Sequence, residues 1–256
     1  MDPLPLIDRL RFVASATILL LYWIAWAATL LPLSFITAKL TGGQRGRELG
    51  QTVLKVFFGG FVKLLKVLGV IECEFVGFDR LRAQVGPMII APNHPALWDA
   101  VVVISEIDRV SCVMKASLLN NPLLYCGSTA AGFISNEPSH KMMRNCIERL
   151  RGNERLVFFP EGTRTRPENG CMNPLTGGLA VIAKNSGAPV WPIFIQTSSP
   201  YLSKGWTIWR LPSRKIRLLL TVGEPMQHPP EMDSHAFLET LRQRYIDAEC
   251  GVKSEV

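Results

Sequence analysis

Met88-Ile89-Ile90-Ala91-Pro92-Asn93-His94-Pro95-Ala96-Leu97-Trp98-Asp99 passes from an apolar run, through a polar turn, into the start of a helix. Met88 to Ala91 is short and uncharged, as a strand buried on both faces requires. Asp99 opens a pattern that predicts a helix over Asp99–Glu106. Pro95 disfavours helical geometry at His94 and keeps that residue in the connecting loop. The unit is strand, loop, helix, and its loop lies at the strand's carboxyl end, where open α/β sheets hold ligands.

The same texture recurs on both sides of this unit. Short apolar runs predict strands at Ile71–Val76, Met88–Ala91, Val110–Met114, Gly132–Ser135, Leu156–Phe159, Val190–Ile195 and Ile216–Val222. Helical spacing predicts helices at Asp99–Glu106, Ser139–Arg151, Thr176–Ser186 and Ser234–Glu249. Thr176 is placed to cap the third of these, Gly187 to end it and Pro189 to block its continuation. Arg166–Asn173, with Pro167 and Gly170, reads as a mobile loop. Strands alternating with helices imply an α/β domain: a mixed, mainly parallel sheet flanked by helices, over residues 71–256.

Residues 1–70 have a different composition and read as N-terminal membrane-associated helices. Phe12–Ile36 holds no charge and is about as long as a bilayer-spanning helix needs to be. Basic residues flank it on both sides, so a single span and a re-entrant hairpin both fit. A cleaved signal peptide is the competing reading; apolar residues continuing through Leu30, Leu31, Leu33 and Phe35 favour retention. In Val53–Val70, Lys55, Lys63 and Lys66 fall on one arc of a helix whose aromatics lie elsewhere. That helix suits either the lipid headgroup layer or an amphipathic packing position on the domain.

Composition narrows the partners. Hydrophobic residues make up 48% and charged residues 19% of the chain, and the net charge is +7. The excess of positive charge points to an anionic partner such as a phospholipid surface. The basic residues are dispersed, with no aromatic-interleaved patch, so nucleic acid is not an expected partner. The six cysteines form no C-x-x-C pair and read as thiols in a reducing compartment. No metal ligand set is apparent.

Chemistry concentrates in two places. With His94 outside the helix and Asp99 in its first turn, imidazole and carboxylate can meet, and the carboxylate would fix the tautomer. No G-x-S-x-G elbow supplies a nucleophilic serine, so the pair suits deprotonation of a substrate hydroxyl. A structural histidine beside a capping aspartate is the bland alternative. The second place is Phe158-Phe159-Pro160-Glu161-Gly162-Thr163-Arg164, leaving a strand. Its glycine admits close backbone approach, consecutive N–H groups can form an anion nest, and Arg164 can hold a phosphate or carboxylate. A plain Pro-Glu-Gly turn with a surface arginine is the alternative.

Asn93-His94 with Asp99, followed by Phe159-Pro160-Glu161-Gly162-Thr163-Arg164, resembles the glycerophospholipid acyltransferase family, which includes the 1-acylglycerol-3-phosphate acyltransferases. Lys115 resembles the family's lysine block after the second strand, and Gly187–Ile193 its late apolar motif, with Trp191 in place of a small residue. The likeness covers roughly residues 71 to 225. It implies His94 as general base, Asp99 as its orienting partner, and Lys115, Glu161, Gly162, Thr163 and Arg164 as substrate-binding residues. It also implies a membrane lipid acceptor and acyl-CoA or acyl-carrier protein as donor, with no cofactor or metal. The expected location is the cytoplasmic side of a membrane, the inner membrane in a bacterium; oligomeric state is left open. One departure stands out. Where the family usually has an arginine for the acceptor phosphate, this chain has Asn136, followed by Glu137. Either the basic helix containing Lys141 and Arg144 substitutes, or the acceptor is not a phosphatidate precursor but another lyso-lipid or a glycolipid. A non-catalytic lipid-binding protein at the membrane surface is a competing expectation.

Overall fold

The structure, a computed structural model, describes residues 6–206 and 215–252. Residues 1–5, 207–214 and 253–256, which the expected limits of 1–70 and 71–256 include, lie outside the described residues. The chain opens with three helices, α1 (Leu6–Ala28), α2 (Leu30–Thr41) and α3 (Gly43–Val67). There follow β1 (Ile71–Val76), α4 (Phe78–Ala83), β2 (Met88–Pro92), α5 (Asp99–Glu106), β3 (Val110–Met114), α6 (Ala116–Leu119), α7 (Pro122–Ala130) and β4 (Ile134–Ser135). The remainder is α8 (Ser139–Arg151), β5 (Arg155–Val157), α9 (Gly178–Ser186), β6 (Val190–Thr197), β7 (Ile216–Val222), α10 (Ser234–Asp247) and β8 (Gly251–Val252).

The strands form one mixed sheet in the order β1-β7-β6-β2-β5-β3-β4, and β8 extends β6 beyond the end of β2. Every pairing is parallel except β6 with β7, so β1 and β7 run against the other strands. Side chains of β2 alternate between the two faces: Met88 and Ile90 join one core cluster, Ile89 and Ala91 the other. Helices α3, α4 and α5 cover the first face, and α8, α9 and α10 the second. Burial on both sides is why β2 tolerates no polar residue until Asn93.

The N-terminal region differs from a single long helix. Thr29 leaves helical geometry at φ −124°, ψ −83°, and splits the charge-free run into α1 and α2. Pro32 lies in the first turn of α2, where its missing N–H costs nothing; in a continuous helix its ring would strike the carbonyl of Ala28. Helix α3 begins ten residues before the expected Val53 and packs its apolar face on the sheet. Leu54, Phe57, Phe58, Phe61, Val62 and Leu65 share one core cluster with Met88, Ile90 and Val157. Of the two readings for this segment, the packed amphipathic helix is the one found. Tyr22, Trp23 and Trp26 of α1 gather around Phe57, and the Tyr22 hydroxyl donates to the Phe57 carbonyl at 2.7 Å. The opposite side of α1 and α2 is apolar and exposed, with Leu20, Leu21, Leu33, Ile36 and Leu40 facing outward.

Other differences are local. Gly132 and Phe133 are not strand; their amides close the end of α7 on Thr129 and Ser128, which leaves β4 two residues. The strand expected at Leu156–Phe159 is found at Arg155–Val157, and α10 stops at Asp247, two residues early. Thr176 does not cap α9. Its amide and hydroxyl both donate to Pro160, and the helix begins at Gly178. Gly187 does end α9, in the left-handed conformation at φ 70°.

Phe57 of α3 is where the aromatic side chains of α1 converge, within the core cluster that α3 shares with the sheet. Phe57→Ala is expected to cost about 3–5 kcal/mol and to loosen α1 from α3. Urea unfolding of detergent-solubilised protein, read by tryptophan fluorescence, checks both.

Candidate active site

Strand register builds the site. β2 and β5 are parallel neighbours with Met88 opposite Arg155 and Ile90 opposite Val157. The loops leaving their carboxyl ends therefore emerge side by side. One carries His94 and the other Glu161. Asn93 fixes the first loop against β6: its side chain donates to the Ile195 carbonyl at 3.0 Å and accepts from the Ile195 amide at 2.6 Å. The side chain thus mimics one more rung of the sheet and lets the backbone turn away. At the same strand end, the buried Tyr245 hydroxyl of α10 donates to the Ala91 carbonyl.

His94 is held by both its backbone groups. Its amide donates to Glu161 Oε1 at 2.8 Å, and its carbonyl accepts from the Thr165 amide at 2.7 Å. Its ring lies 4.2 Å from that of Phe159, centroid to centroid. Nδ1 is 2.9 Å from Asp99 Oδ2, and the same oxygen accepts the Ala96 amide at 2.7 Å. The amide contact fixes the carboxylate from the loop side, so the imidazole meets an oxygen already in place. Asp99 is 2% exposed while the His94 side chain is 17% exposed. Burial pushes the Asp99 carboxyl above its ordinary pKa, opposed by His94, the Ala96 amide and Arg164. With Nδ1 facing Asp99, Nε2 is the ring nitrogen left to meet a substrate.

Glu161 is the buried centre of the second loop. Oε1 accepts from the His94 amide at 2.8 Å and Oε2 from the Asn173 amide at 2.8 Å. The Thr165 hydroxyl lies within 2.9 Å of both oxygens. Burial raises its pKa, and the hydrogen bonds from Asn173, Thr165 and His94 act against that rise. Both oxygens are thus occupied by the chain's own donors, facing inward. Phe159-Pro160-Glu161-Gly162 closes as a turn, the Gly162 amide donating to the Phe159 carbonyl at 3.1 Å. Gly162 sits at φ 66°, where a side chain would be strained, and an added Cβ would meet Thr176 Cγ2 at 3.2 Å.

The remaining expected residues are spread along the same edge. Thr163 is exposed, its hydroxyl 3.3 Å from Lys204 Nζ. Arg164 Nη1 donates to the carbonyls of Leu202 at 2.8 Å and Ser203 at 3.1 Å, which ties the 200–206 segment to the site. Leu202 has φ 61°, an uncommon conformation for a leucine, and its carbonyl also accepts the Leu97 amide. Lys115 is exposed at the end of β3, two strands from β2 and so about 10 Å away across the sheet. Asn136, at the end of β4, accepts the Ala116 amide on Oδ1 at 2.9 Å and so fixes the chain just after Lys115.

Thr165 and Asn173 hold the Glu161 carboxylate, and neither was expected at the site from the sequence. Thr165 follows the Phe-Pro-Glu-Gly-Thr-Arg motif directly, so proximity could have flagged it. Asn173 carries no local signal. It reaches the site because the 166–173 segment folds back, its side chain accepting from the Arg166 amide and donating to the Arg164 carbonyl. The loop read as mobile is hydrogen-bonded at both ends.

Known proteins resemble this chain in sequence and in fold. The sequence model of the Acyltransferase family matches residues 73–196. The chloroplast 1-acyl-sn-glycerol-3-phosphate acyltransferase BAT2 of Brassica napus is 23% identical over 139 residues, which covers 52% of this chain and 40% of that protein. The 1-acyl-sn-glycerol-3-phosphate acyltransferase of Saccharomyces cerevisiae is 22% identical over 195 residues, covering 73% of this chain and 63% of its own. That of Pseudomonas aeruginosa is 25% identical over 149 residues, covering 56% of each. The chain thus spans less than two thirds of the length of these relatives. Among solved structures, that of PlsC, the 1-acyl-sn-glycerophosphate acyltransferase of Thermotoga maritima, superposes with a TM-score of 0.68 at 16% identity, covering 93% of this chain and 96% of that one.

Glu161→Gln tests the inward carboxylate. A glutamine must turn its NH₂ toward either the His94 or the Asn173 amide and leave that donor unpaired. The expected cost is about 1–3 kcal/mol, seen as a lowered unfolding midpoint, with faster amide exchange at His94 and Asn173.

Proposed function

We propose that this chain, whose residues 73–196 match the Acyltransferase family model, is a glycerophospholipid acyltransferase: it moves a fatty acyl chain from a thioester donor to a hydroxyl of a lysophospholipid-type acceptor, with His94 as general base. The donor is acyl-CoA or an acyl-carrier protein. The observation that carries this reading is the His94 Nδ1–Asp99 contact, which leaves Nε2 without a protein partner among the described residues at the carboxyl edge of the sheet.

His94 Nε2 takes the proton of the acceptor hydroxyl as its oxygen attacks the thioester carbonyl carbon. The carbon–sulfur bond then breaks, and the proton passes from the imidazolium to the leaving thiolate. Asp99 remains a carboxylate and stabilises the imidazolium. Glu161, with both oxygens occupied, acts as a positioning residue that holds the His94 loop. Lys115, Thr163 and Arg164 are the groups of this edge that supply positive charge or a hydroxyl to an anionic substrate. Arg164 keeps its Nη2 and Nε for that role, since Nη1 holds Leu202 and Ser203.

The enzyme works at a membrane, held by α1 and α2. By length and composition the Val13–Thr41 stretch is sufficient to cross a bilayer, and its exposed apolar side chains support this reading. The catalytic edge faces the cytoplasm, where acyl thioesters are made.

A second reading of the acceptor rests on Asn136. Its side-chain oxygen is already used on the Ala116 amide, and Glu137 stands exposed beside it. A phosphate monoester needs fixed cations in a partly desolvated site; with Asn136 neutral, that charge has to come from Lys115 or from the exposed Lys141 and Arg144 of α8. On this reading the preferred acceptor carries a neutral or zwitterionic headgroup.

Three outcomes are expected. His94→Ala lowers turnover by about 10²–10⁴-fold or more with the fold retained. Asp99→Asn is milder, a loss of about 10–10²-fold, because an amide oxygen in the same place still accepts from Ala96 and His94 and only the charge is lost. Near-normal turnover of His94→Ala, measured with radiolabelled acyl thioester, would rule out the base assignment. In competition assays, a phosphate-free lyso-lipid outcompetes lysophosphatidic acid; preference for lysophosphatidic acid would reject the second reading.

A further inference from the structure

Between Val110 and Asn136 the only charged residue is Lys115. A segment of this composition would ordinarily be core, and β3 at its start is. Helices α6 and α7 are not. Leu118, Leu123 and Tyr125 are 37%, 40% and 47% exposed, and the other exposed residues there, Ser117, Asn120, Pro122 and Thr129, are uncharged. A water-facing helix pair normally carries charge on its outer side.

The position of this pair explains the composition. Helix α7 packs its inner side, Gly127, Ser128 and Ala130, against the N-terminal helices. The approach is close: an added Cβ on Gly127 would lie 3.1 Å from Leu54 and 3.2 Å from Leu31. On the outer side the Tyr125 and Phe35 rings lie 6.0 Å apart, so the exposed apolar face of α2, with Leu33, Ile36 and Leu40, continues into α7. Two cations border the combined surface. Lys39 Nζ lies over the Phe35 ring at 5.1 Å, and Lys115 stands immediately before α6.

From this juxtaposition we infer that α6 and α7 form a second lipid-docking surface, belonging to the catalytic domain itself, which rests in the headgroup and upper acyl region of an anionic bilayer. The inference rests on the membrane reading of α1 and α2. Continuity with their face selects a lipid surface as the occupant. The uncharged outer face fits the headgroup–acyl boundary, and Lys39 and Lys115 fit anionic headgroups at its rim. Lys115 lies between α6 and the carboxyl edge, so this contact brings the edge that holds His94 to the lipid surface. A lipid acceptor then reaches Nε2 laterally, without leaving the bilayer.

Photo-crosslinking of the full chain in phosphatidylglycerol–phosphatidylethanolamine vesicles tests this. Benzoylphenylalanine is introduced singly at Leu118, Tyr125, Leu21 of α1, and Val85, an exposed residue before β2 at the opposite edge of the sheet. Lipid adducts are expected at 118, 125 and 21, and none at 85. Adducts at 21 but not at 118 or 125 overturn this inference and leave the anchor reading standing. Adducts at none of the four overturn both. Crosslinking of 125 to a second copy of the chain overturns the lipid assignment in favour of a dimer face. In parallel, Leu118→Glu combined with Tyr125→Glu is expected to lower turnover of a vesicle-embedded acceptor by about tenfold or more, with turnover of a monodisperse short-chain acceptor unchanged. Equal loss on both acceptors, without lipid adducts, also overturns it.

Discussion

The buried Glu161 carboxylate is the junction on which the site depends. It accepts the amide of His94 from one strand-end loop, the hydroxyl of Thr165 from its own loop and the amide of Asn173 from the returning segment. A carboxylate suits this position because it has acceptor capacity for all three donors and donates nothing. Taking its charge out of water is costly, and the clustered donors offset that cost. The arrangement fixes the backbone of the proposed base, His94, through the protein's own hydrogen bonds. His94 is therefore constrained twice, through its main chain by Glu161 and Thr165 and through its ring by Asp99 and Phe159. On the proposed mechanism, preorganisation of this kind means that little reordering is needed when an acceptor arrives.

Much of this was legible in the chain. The αβα architecture follows from alternating apolar runs and helical spacing, and the His94–Asp99 meeting follows from a proline holding His94 outside a helix that Asp99 begins. What could not be read was the long-range use of side chains. Asn93 reads as part of a motif, yet its work is to pair with Ile195, a residue on another strand. Thr176 has the sequence of a helix cap and instead bonds Pro160, because the turn ending in Gly162 brings that carbonyl to it. Helix α7 went unread because its apolar, charge-free sequence lacks the polar stripe that marks an amphipathic helix. Asn121 and Pro122, which cap and open it, were the available signal.

Family resemblance and physical reading differ most at Glu161 and Arg164. Resemblance assigns both to substrate. Their hydrogen bonds show residues that organise the protein: Glu161 within the loop pair, and Arg164 reaching to Leu202 and Ser203. Motif residues can be indispensable through the geometry they enforce, and a contact with ligand is a separate property. Asn136 illustrates the converse. It replaces a charge, and it also closes the connection between β3 and β4.

The strand order has a consequence for synthesis. Among the described residues β1, at Ile71–Val76, pairs only with β7, at Ile216–Val222, which is synthesised long after it. Until then one edge of the sheet has no backbone partner, and the aromatic face of α3 has only part of its cover. The nascent chain must therefore keep its earliest elements from associating wrongly while most of the domain is still being made. A ribosome stalled before Ile216 would release a fragment with an unpaired parallel strand and an open apolar helix face, a natural substrate for chaperones and quality-control proteases.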